Sequence, residues 1–459
     1  MGVSLESLPK ENNASFSLCD LQTSHDIDIQ KEKSNEFFIV YLTFVLLGNS
    51  ALSFCTFLFL ILGSVNAMVL SPFKNSLPVT YTTFSLFCGC IILLFPRHKK
   101  LPNIVFCSII FSILSLFFSL SLTCIKDTRI KSICIHTICG IGGCWTFVFQ
   151  KLLYEQASKF SRYYLGAISL GFGLSGVFGF LSWLIISQYF FPDFQNILKA
   201  IWVQTLSCVV VSNVLGLCLW FYIHYCQWIT TPVTKIKLPI ALLTNDAENL
   251  SENSVQGQPL TEKYLPNNSL QERINSQNDS QVTSHFFVTC FTQCKYYSVS
   301  LQQTFNISLT LLITFLIYPT TAPLAWSPDS YERTLLTGIF LFGDFAGRYL
   351  PNLKQWCPFL ALKCNTVIYY GLMRLIFIPW MIFLKSNKTS KIQGILLSET
   401  FRRTSIFFFS LSNGWLCSLS NMYVMVRLKT SEEKEFMSTV YTFCLLVGIS
   451  LGSWLAPLL

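Results

Sequence analysis

The chain has 459 residues, of which 52% are hydrophobic and only 12% are charged, and its formal net charge is +9. Soluble domains carry about twice that charged fraction, so a soluble globular fold is excluded. The positive charge does not indicate a nucleic-acid partner, because the Lys and Arg residues form short clusters between apolar runs, where membrane topology and anionic lipid headgroups account for them.

Apolar runs follow a polar tail in the first half of the chain. Residues 1–36 lack the basic start and apolar core of a secretory signal, which predicts a tail that stays in the cytosol. Each run after the tail is long enough to cross a hydrocarbon core of about 30 Å as a helix. The runs at residues 37–62, 79–95, 103–123, 132–154, 164–190 and 200–226 predict a six-helix membrane bundle over residues 37–226.

A polar break separates this bundle from a second one. Residues 227–298 are rich in Asn, Gln, Ser and Glu, a composition that predicts a flexible cytosolic loop. The runs at residues 299–318, 334–350, 365–384, 404–426 and 436–459 predict a five-helix bundle over residues 299–459. The predicted fold class is therefore an all-α polytopic membrane protein with about eleven transmembrane helices in a 6+5 arrangement. An odd number of spans places the termini on opposite sides of the membrane, and eleven spans fit a carrier better than a seven-span receptor.

The loop after the ninth run contains the sequon Asn387-Lys388-Thr389. With the N-terminus in the cytosol this loop faces outward, so Asn387 is the candidate glycosylation site and the chain is predicted to be a glycoprotein. Basic clusters favour this orientation only modestly, because the outer loops also contain Lys and Arg residues.

The eighth run carries a charge pair at membrane depth. Asp344 and Arg348 stand four residues apart and therefore share one helical face, where they can neutralise each other. Ionised groups within a bilayer are costly, so such a pair faces a polar cavity or another helix. The spacing leaves two interpretations open, a ligand-contacting pair and a purely structural ion pair.

Two further polar residues lie inside apolar runs. Arg374, in the ninth run, is more typical of helix packing than of ligand contact, and with Arg348 it gives two buried positive charges against one carboxylate. Gln150, in the fourth run, offers both an amide donor and an acceptor. Such an amide suits the edge of a planar nucleobase, and it suits a hydrogen bond between helices equally well.

Small residues in the fifth run recur at helical spacing. Gly171, Ser175 and Gly179 are four residues apart, which predicts a smooth face for close helix contact. The run is not a phosphate-binding loop, since it is apolar and no Lys-Ser or Lys-Thr follows it. The sequence offers no metal-ligand cluster, nucleotide-binding signature or Ser-His-acid arrangement, so we predict no cofactor, no metal and no enzymatic activity.

Four motifs in a fixed order carry a resemblance to a known family. They are Gly-Phe-Gly-Leu-Ser-Gly at residues 171–176, Asp-Phe-Ala-Gly-Arg at 344–348, Arg-Leu-Ile-Phe-Ile-Pro at 374–379 and Ser-Asn-Gly-Trp-Leu-Cys-Ser-Leu at 412–419. With them the chain resembles the equilibrative nucleoside transporter family, solute carrier family 29, from its first span to its last. The resemblance implies that family's major-facilitator-like fold, with a cytosolic N-terminus and an outer C-terminus.

The resemblance also implies residue roles. Gln150 matches the family's base-contacting Gln, while Asp344 and Arg348 match the pair that binds the ribose hydroxyls. The family's Pro-Trp-Asn in the first span is replaced here, so Phe54 keeps an aromatic wall of the substrate site and Cys55 lacks the amide. Structural or gating roles fall to residues of the motifs and of the glycine face, namely Gly171, Gly173, Gly176, Gly179, Arg374 and Asn413.

The predicted function is facilitated transport of purine or pyrimidine nucleosides, with nucleobases as further candidates, by a uniporter with alternating access. A proton-coupled carrier is one alternative, although Arg348 stabilises the ionised form of Asp344 and makes it a poor proton carrier. A carrier of another polar organic solute is a second alternative, and a polytopic membrane enzyme is the last. We predict a multi-pass protein of the plasma membrane in preference to an internal one, surrounded by lipids, with no obligate protein partner and no nucleic-acid partner.

Overall fold

The computed structural model describes residues 34–66, 76–94, 103–191, 196–226, 298–319, 322, 326, 330–355, 357–385, 398–428 and 430–458. Within these ranges the secondary structure is helical and contains no strand. Nearly all of the predicted tail at residues 1–36 and of the predicted loop at residues 227–298 lies outside the described residues. The candidate glycosylation site Asn387 lies outside them too, so it stays a prediction.

Eleven long helices occupy the described part of the chain, in agreement with the predicted fold class. In chain order they are α1 Ser34–Asn66, α2 Ser76–Leu94, α3 Ile104–Cys124, α4 Thr128–Ser158, α5 Arg162–Ile185, α6 Ile197–Tyr225, α7 Ser298–Ile317, α8 Ser330–Tyr349, α9 Cys364–Leu384, α10 Glu399–Tyr423 and α11 Ser431–Leu455. A π-helical turn, Thr205–Val210, interrupts α6, and a 3-10 turn, Arg374–Ile376, interrupts α9.

Polar side chains in the connecting loops fix where several helices begin. Asp127 accepts hydrogen bonds from the backbone of Arg129 and Ile130, at 2.8 and 3.2 Å, at the start of α4. Thr430 and Glu433 form a reciprocal capping box at the start of α11. These contacts satisfy backbone N–H groups that have no partner inside a helix, so they define each boundary locally.

Two of the long helices are more polar than the others. Nine of the described spans are long and apolar enough to cross a membrane, whereas α8 and α10 do not meet that standard of composition. Both α8 and α10 are nonetheless of spanning length, with 20 and 25 residues. They pack side by side, so each covers polar residues of the other. These two helices supply several polar side chains of the central site.

The two halves of the chain repeat one packing scheme. In the first half α1 lies parallel to α5 and α2 lies parallel to α4; in the second half α7 lies parallel to α11 and α8 to α10. The second set is the first set displaced by six helices. Contacts between the halves follow the same rule, since α5 meets α8 and α2 meets α11. The sequence shows no repeat by eye, yet the packing is a twofold repeat.

Glycine permits the closest of these parallel contacts. A β-carbon added at Gly171 of α5 would overlap the carbonyl oxygen of Val45 in α1. In the second half, a β-carbon added at Gly347 of α8 would overlap the carbonyl oxygen of Leu411 in α10. Backbones can approach this closely only where no side chain intervenes. Both halves therefore depend on small residues where their parallel helices meet.

Candidate functional site

A cavity of about 160 Å³ lies between the two halves of the protein. Seven helices contribute to its wall: α1, α4, α5, α7, α8, α10 and α11. Most of the wall is apolar, with a small number of polar side chains, among them Gln150, Thr337, Asp344, Arg348, Asn413 and Asn421. An apolar cavity with few polar groups is the usual form of a small-molecule site.

The charge pair predicted from sequence spacing is formed at this cavity. Arg348 Nε donates to Asp344 Oδ2 at 2.7 Å, and both residues are 8% exposed. Arg348 Nη1 also donates to the carbonyl oxygen and to the hydroxyl of Ser169 in α5, at 3.1 and 3.0 Å. The arginine of the second half is thus bonded to the first half. Its Nη2 group makes no hydrogen bond with any described residue.

A second arginine supports the pair without lining the cavity. Asn413 Nδ2 donates to Asp344 Oδ1 at 2.6 Å, and Arg374 Nη1 donates to Asn413 Oδ1 at 3.1 Å. Arg374 also donates to the carbonyl oxygens of Thr310 and Phe409, at 3.0 and 3.4 Å, and its guanidinium lies 5.0 Å from the Phe409 ring centre. Backbone carbonyls and one ring therefore stabilise this buried charge. Arg374 therefore fixes the position of Asn413, and Asn413 in turn fixes the orientation of the Asp344 carboxylate.

Gln150 lies in the cavity wall with an unused acceptor. The residue is only 2% exposed, and its side-chain oxygen Oε1 has no hydrogen-bond partner among the described residues. A buried amide oxygen without a partner costs about 1–3 kcal/mol. A donor from a bound ligand would remove that cost.

The structure separates the two first-span residues that the sequence assigned to the site. Cys55 lines the cavity, but Phe54 does not. The Phe54 ring is fully buried inside the first half, with ring centres of Tyr81, Phe111 and Phe118 at 6.2–6.3 Å. Aromatic walls of the cavity come instead from Phe59, Phe172, Phe315, Tyr318 and Phe340. The helical spacing of Leu52, Cys55 and Phe59 is the signal that identifies the correct face of α1.

The glycines of α5 form two faces. Gly171 and Gly179 pack on α1, as the four-residue spacing predicts. Gly173 and Gly176 face α8 instead: a β-carbon at Gly173 would lie 2.7 Å from Arg348 Cδ, and one at Gly176 would lie 2.9 Å from Leu341 Cδ2. The second face therefore lies at the boundary between the halves, beside the charge pair.

Contacts between the halves flank the cavity on both sides. On the face where α1 begins, Lys151 of α4 pairs with Glu435 of α11 at 3.8 Å, and Tyr154 donates to Asn421 at 3.0 Å. On the opposite face, the rings of Phe59 and Phe315 lie 6.1 Å apart. The sequence offered no reason to connect these residues, because each pair joins distant segments of the chain.

Comparison with known proteins assigns the chain to a family. The family model described as "Nucleoside transporter" matches residues 135–459. The chain belongs to the nucleoside transporter family. It is similar to "Nucleoside transporter 1" of Plasmodium falciparum (isolate 3D7), with 23% identity over 431 residues that cover 92% of this chain and 87% of that protein. It is also similar to "Equilibrative nucleoside transporter 2" of Homo sapiens, with 21% identity over 335 residues, or 71% of each chain.

A solved structure shares the fold. The proton:xylose symporter XylE of the major facilitator superfamily, bound to 6-bromo-6-deoxy-D-glucose, aligns with a TM-score of 0.59 and covers 93% of this chain and 89% of its own. At 10% sequence identity this likeness concerns the fold alone. The predicted major-facilitator-like arrangement is confirmed, and membership of a transporter family confirms that this nucleoside transporter family member is an integral membrane carrier and not an enzyme.

Proposed function

We propose that this chain carries nucleosides across its membrane passively, by opening the central cavity first to one face and then to the other. Family membership supports nucleosides as the substrate class. The single observation that supports the mechanism best is the position of the polar groups: Gln150, Asp344 and Arg348 meet in one cavity between two halves that repeat each other. A ligand bound there contacts both halves, so movement of one half relative to the other changes its contacts.

The ribose binds at the charge pair in this proposal. Each carboxylate oxygen of Asp344 accepts one hydrogen bond from the protein and keeps lone pairs for a ligand. Arg348 Nη2 supplies a donor beside it. A vicinal diol both donates and accepts, so it complements a carboxylate next to a guanidinium. Low solvent access inside the cavity strengthens both kinds of contact.

The base binds towards α4. Gln150 Oε1 accepts an N–H group of the base, and the surrounding Phe and Tyr rings contact its flat faces. Free nucleobases retain the group that Gln150 contacts but lack the diol, so we expect them to bind more weakly than nucleosides. The plasma membrane as the location of the protein stays a prediction.

Transport without proton coupling follows from the surroundings of Asp344. Arg348 and Asn413 both donate to its carboxylate, so both carboxylate oxygens are engaged by donors of the protein. Among the described residues that line the cavity, Asp344 is the only carboxylate. The gradient of the substrate itself is therefore the proposed driving force.

Uptake into proteoliposomes tests the proposal. Vesicles that contain the purified chain should take up radiolabelled adenosine and uridine until the internal concentration equals the external one, and should exclude xylose. An imposed pH gradient should leave that plateau unchanged. Accumulation above the external concentration under a pH gradient would favour the proton-coupled alternative, and uptake of xylose without uptake of nucleosides would favour a carrier of another polar solute.

A further inference from the structure

A second cavity, of about 140 Å³, opens on the face where α1 begins. It lies between the turn that joins α4 to α5 and the connection that joins α10 to α11. Its wall includes Ser158, Ser161, Arg162, Met425, Leu428 and Lys434. The first three of these belong to the first half of the protein and the last three to the second half, so any occupant would contact both halves.

This cavity concentrates positive charge that no described carboxylate neutralises. Its described lining contains Arg162 and Lys434 and no carboxylate. Arg162 Nε is buried and has no hydrogen-bond partner among the described residues, while its guanidinium lies 5.5 Å from the Tyr163 ring centre. Lys434 likewise forms no ion pair within the described ranges. An unpaired buried donor indicates that an acceptor belongs at this position.

Other cations near this face have carboxylate partners. Lys151 and Lys159 both pair with Glu155, at 3.6 Å in each case. The chain therefore supplies a carboxylate partner to cations near and just after the end of α4 and none, among the described residues, to Arg162 or Lys434. Two cations without an ion-pair partner among the described residues therefore share this one cavity.

Backbone and hydroxyl groups add donors at the same place. Arg162 is the first residue of α5, a helix of 24 residues whose positive dipole end lies at the cavity. Ser161 caps that helix by accepting from Tyr163 N at 3.3 Å, and its hydroxyl hydrogen remains available as a donor. Met425 and Leu428 form an apolar wall that limits access of water. A guanidinium, an ammonium and a hydroxyl around a helix N-terminus suit a tetrahedral dianion.

We propose that this cavity binds a phosphate monoester anion and that the bound anion holds the two halves together on the face where α1 begins. Arg162 donates to two of the phosphate oxygens through its planar fork, and Lys434 approaches from the second half. A ligand that bonds both halves favours conformations in which they are in contact. Transport therefore slows when the site is occupied, a consequence that rests on the alternating exposure proposed above.

Binding to the full-length protein tests the site. The purified chain in phosphatidylcholine nanodiscs is titrated by calorimetry with inorganic phosphate, adenosine monophosphate and inositol trisphosphate. In a parallel arm, nanodiscs that contain a phosphorylated phosphatidylinositol are compared with phosphatidylcholine nanodiscs for a shift in melting temperature. Saturable binding of a soluble probe identifies a free phosphate compound as the ligand, and a shift only with the phosphorylated lipid identifies a lipid headgroup.

The variants distinguish this cavity from the general positive charge of the chain. Arg162→Gln and Lys434→Gln should each weaken binding about 10-fold, the effect of one charge-assisted contact. Arg427→Gln is the matched control, because Arg427 is exposed on the same connection but does not line the cavity. That control should change binding by less than about two-fold. Arg162→Lys keeps the charge but loses the fork, so its affinity should lie between those of wild type and Arg162→Gln.

Folding is checked independently of the new site. Each variant must retain nucleoside binding at the central cavity and a single peak in size-exclusion chromatography. Wild-type protein that binds none of the phosphate probes in either arm would overturn the proposal, as would equal weakening by Arg427→Gln and Arg162→Gln. Failure of the wild type to bind nucleosides would instead overturn the proposed function. The anion titration would still report on the second cavity.

Discussion

At the scale of residues, a continuous set of hydrogen bonds orients the carboxylate of the cavity. Arg374 is bonded to Asn413, Asn413 to Asp344 and Asp344 to Arg348, with no distance above 3.1 Å. Each group is held by the next, so the donors and acceptors are fixed before a ligand arrives. Buried networks of this kind contribute more than the sum of their separate bonds.

Residue-level prediction succeeded where the information is local. The pairing of Asp344 with Arg348 follows from four-residue spacing and is formed. Its partners Asn413 and Ser169 lie 69 and 179 residues away from the pair, so only the tertiary structure brings them together. The assignment of an aromatic wall to Phe54 came from a motif that the chain does not retain, and the helical register places Phe59 there instead.

Gln150→Leu tests the unused acceptor. The substitution removes an unpaired buried oxygen and keeps the volume, so the melting temperature should stay level or rise. Nucleoside affinity should fall by about 1–3 kcal/mol, because a ligand donor loses its partner. Gln204→Leu is the control. The Gln204 amide lies outside the cavity and donates to Gly179 O at 3.0 Å, so the substitution should lower stability and leave nucleoside affinity unchanged. Lower stability with wild-type affinity in Gln150→Leu would support a purely structural amide.

Asn413→Ala tests the support of the carboxylate. It leaves Asp344 without one donor and Arg374 without one acceptor, so the free energy of unfolding should fall by about 3 kcal/mol. Nucleoside affinity should fall as well, since the carboxylate loses its orientation. Asn213→Ala, which removes a partly buried hydrogen bond to Ser112 in the first half, should lower stability alone. Equal nucleoside affinity of the two variants would show that Asn413 does not contribute to ligand binding.

At the scale of helices, the composition of the sequence predicts where a helix exists better than it predicts the irregular turns within that helix. Each of the eleven predicted runs corresponds to an observed helix, because spanning length and apolar content are properties of the local sequence. The π-helical turn in α6 and the 3-10 turn in α9 were not predicted, since neither contains a Pro or Gly that would mark it. The glycine spacing in α5 predicted one packing face; the second face depends on α8, which the spacing does not identify.

Glycine substitutions on the two faces of α5 distinguish an effect on folding from an effect on the conformational change of transport. Gly171→Ala places a methyl group against the backbone oxygen of Val45, which cannot move aside, so folded yield should fall sharply. Gly176→Ala meets only the end of the Leu341 side chain at 2.9 Å, so the protein should fold. Its transport rate should fall because the boundary between the halves becomes more crowded. Yield and uptake per folded molecule measure the two effects, and wild-type yield for Gly171→Ala would contradict the packing argument.

At the scale of the whole molecule, a repeated bundle surrounds the central cavity. The halves meet through α5 with α8 and α2 with α11, positions related by the displacement of six helices. Such symmetry lets one pair of contacts close one face while the equivalent pair opens the other. This symmetry was not visible in the sequence, because packing geometry repeats here without recognisable repetition of residues.

Glu435→Gln tests the contact on the face where α1 begins. Lys151 loses its partner in the second half but keeps Glu155, so opening on this face becomes easier. Glu435 is largely exposed, and such a pair contributes at most about 1 kcal/mol, or about a five-fold shift in population. Amide hydrogen exchange around Tyr154 should accelerate by up to that factor. Glu432→Gln, exposed in the same turn, should have no effect, and equal acceleration in both variants would exclude a specific bridge.

Asp344 binds the ribose diol in the proposed mechanism, and a comparison of two ligands on two proteins tests this contact. Folded, purified wild type should bind uridine more tightly than 2′,3′-dideoxyuridine by about 1–3 kcal/mol, the cost of leaving a buried polar group unpaired. Asp344→Asn keeps the shape but loses the charge and part of the acceptor capacity, so the difference between the two ligands should shrink. An undiminished difference in the folded Asp344→Asn protein would contradict the account and leave Asp344 a structural role only.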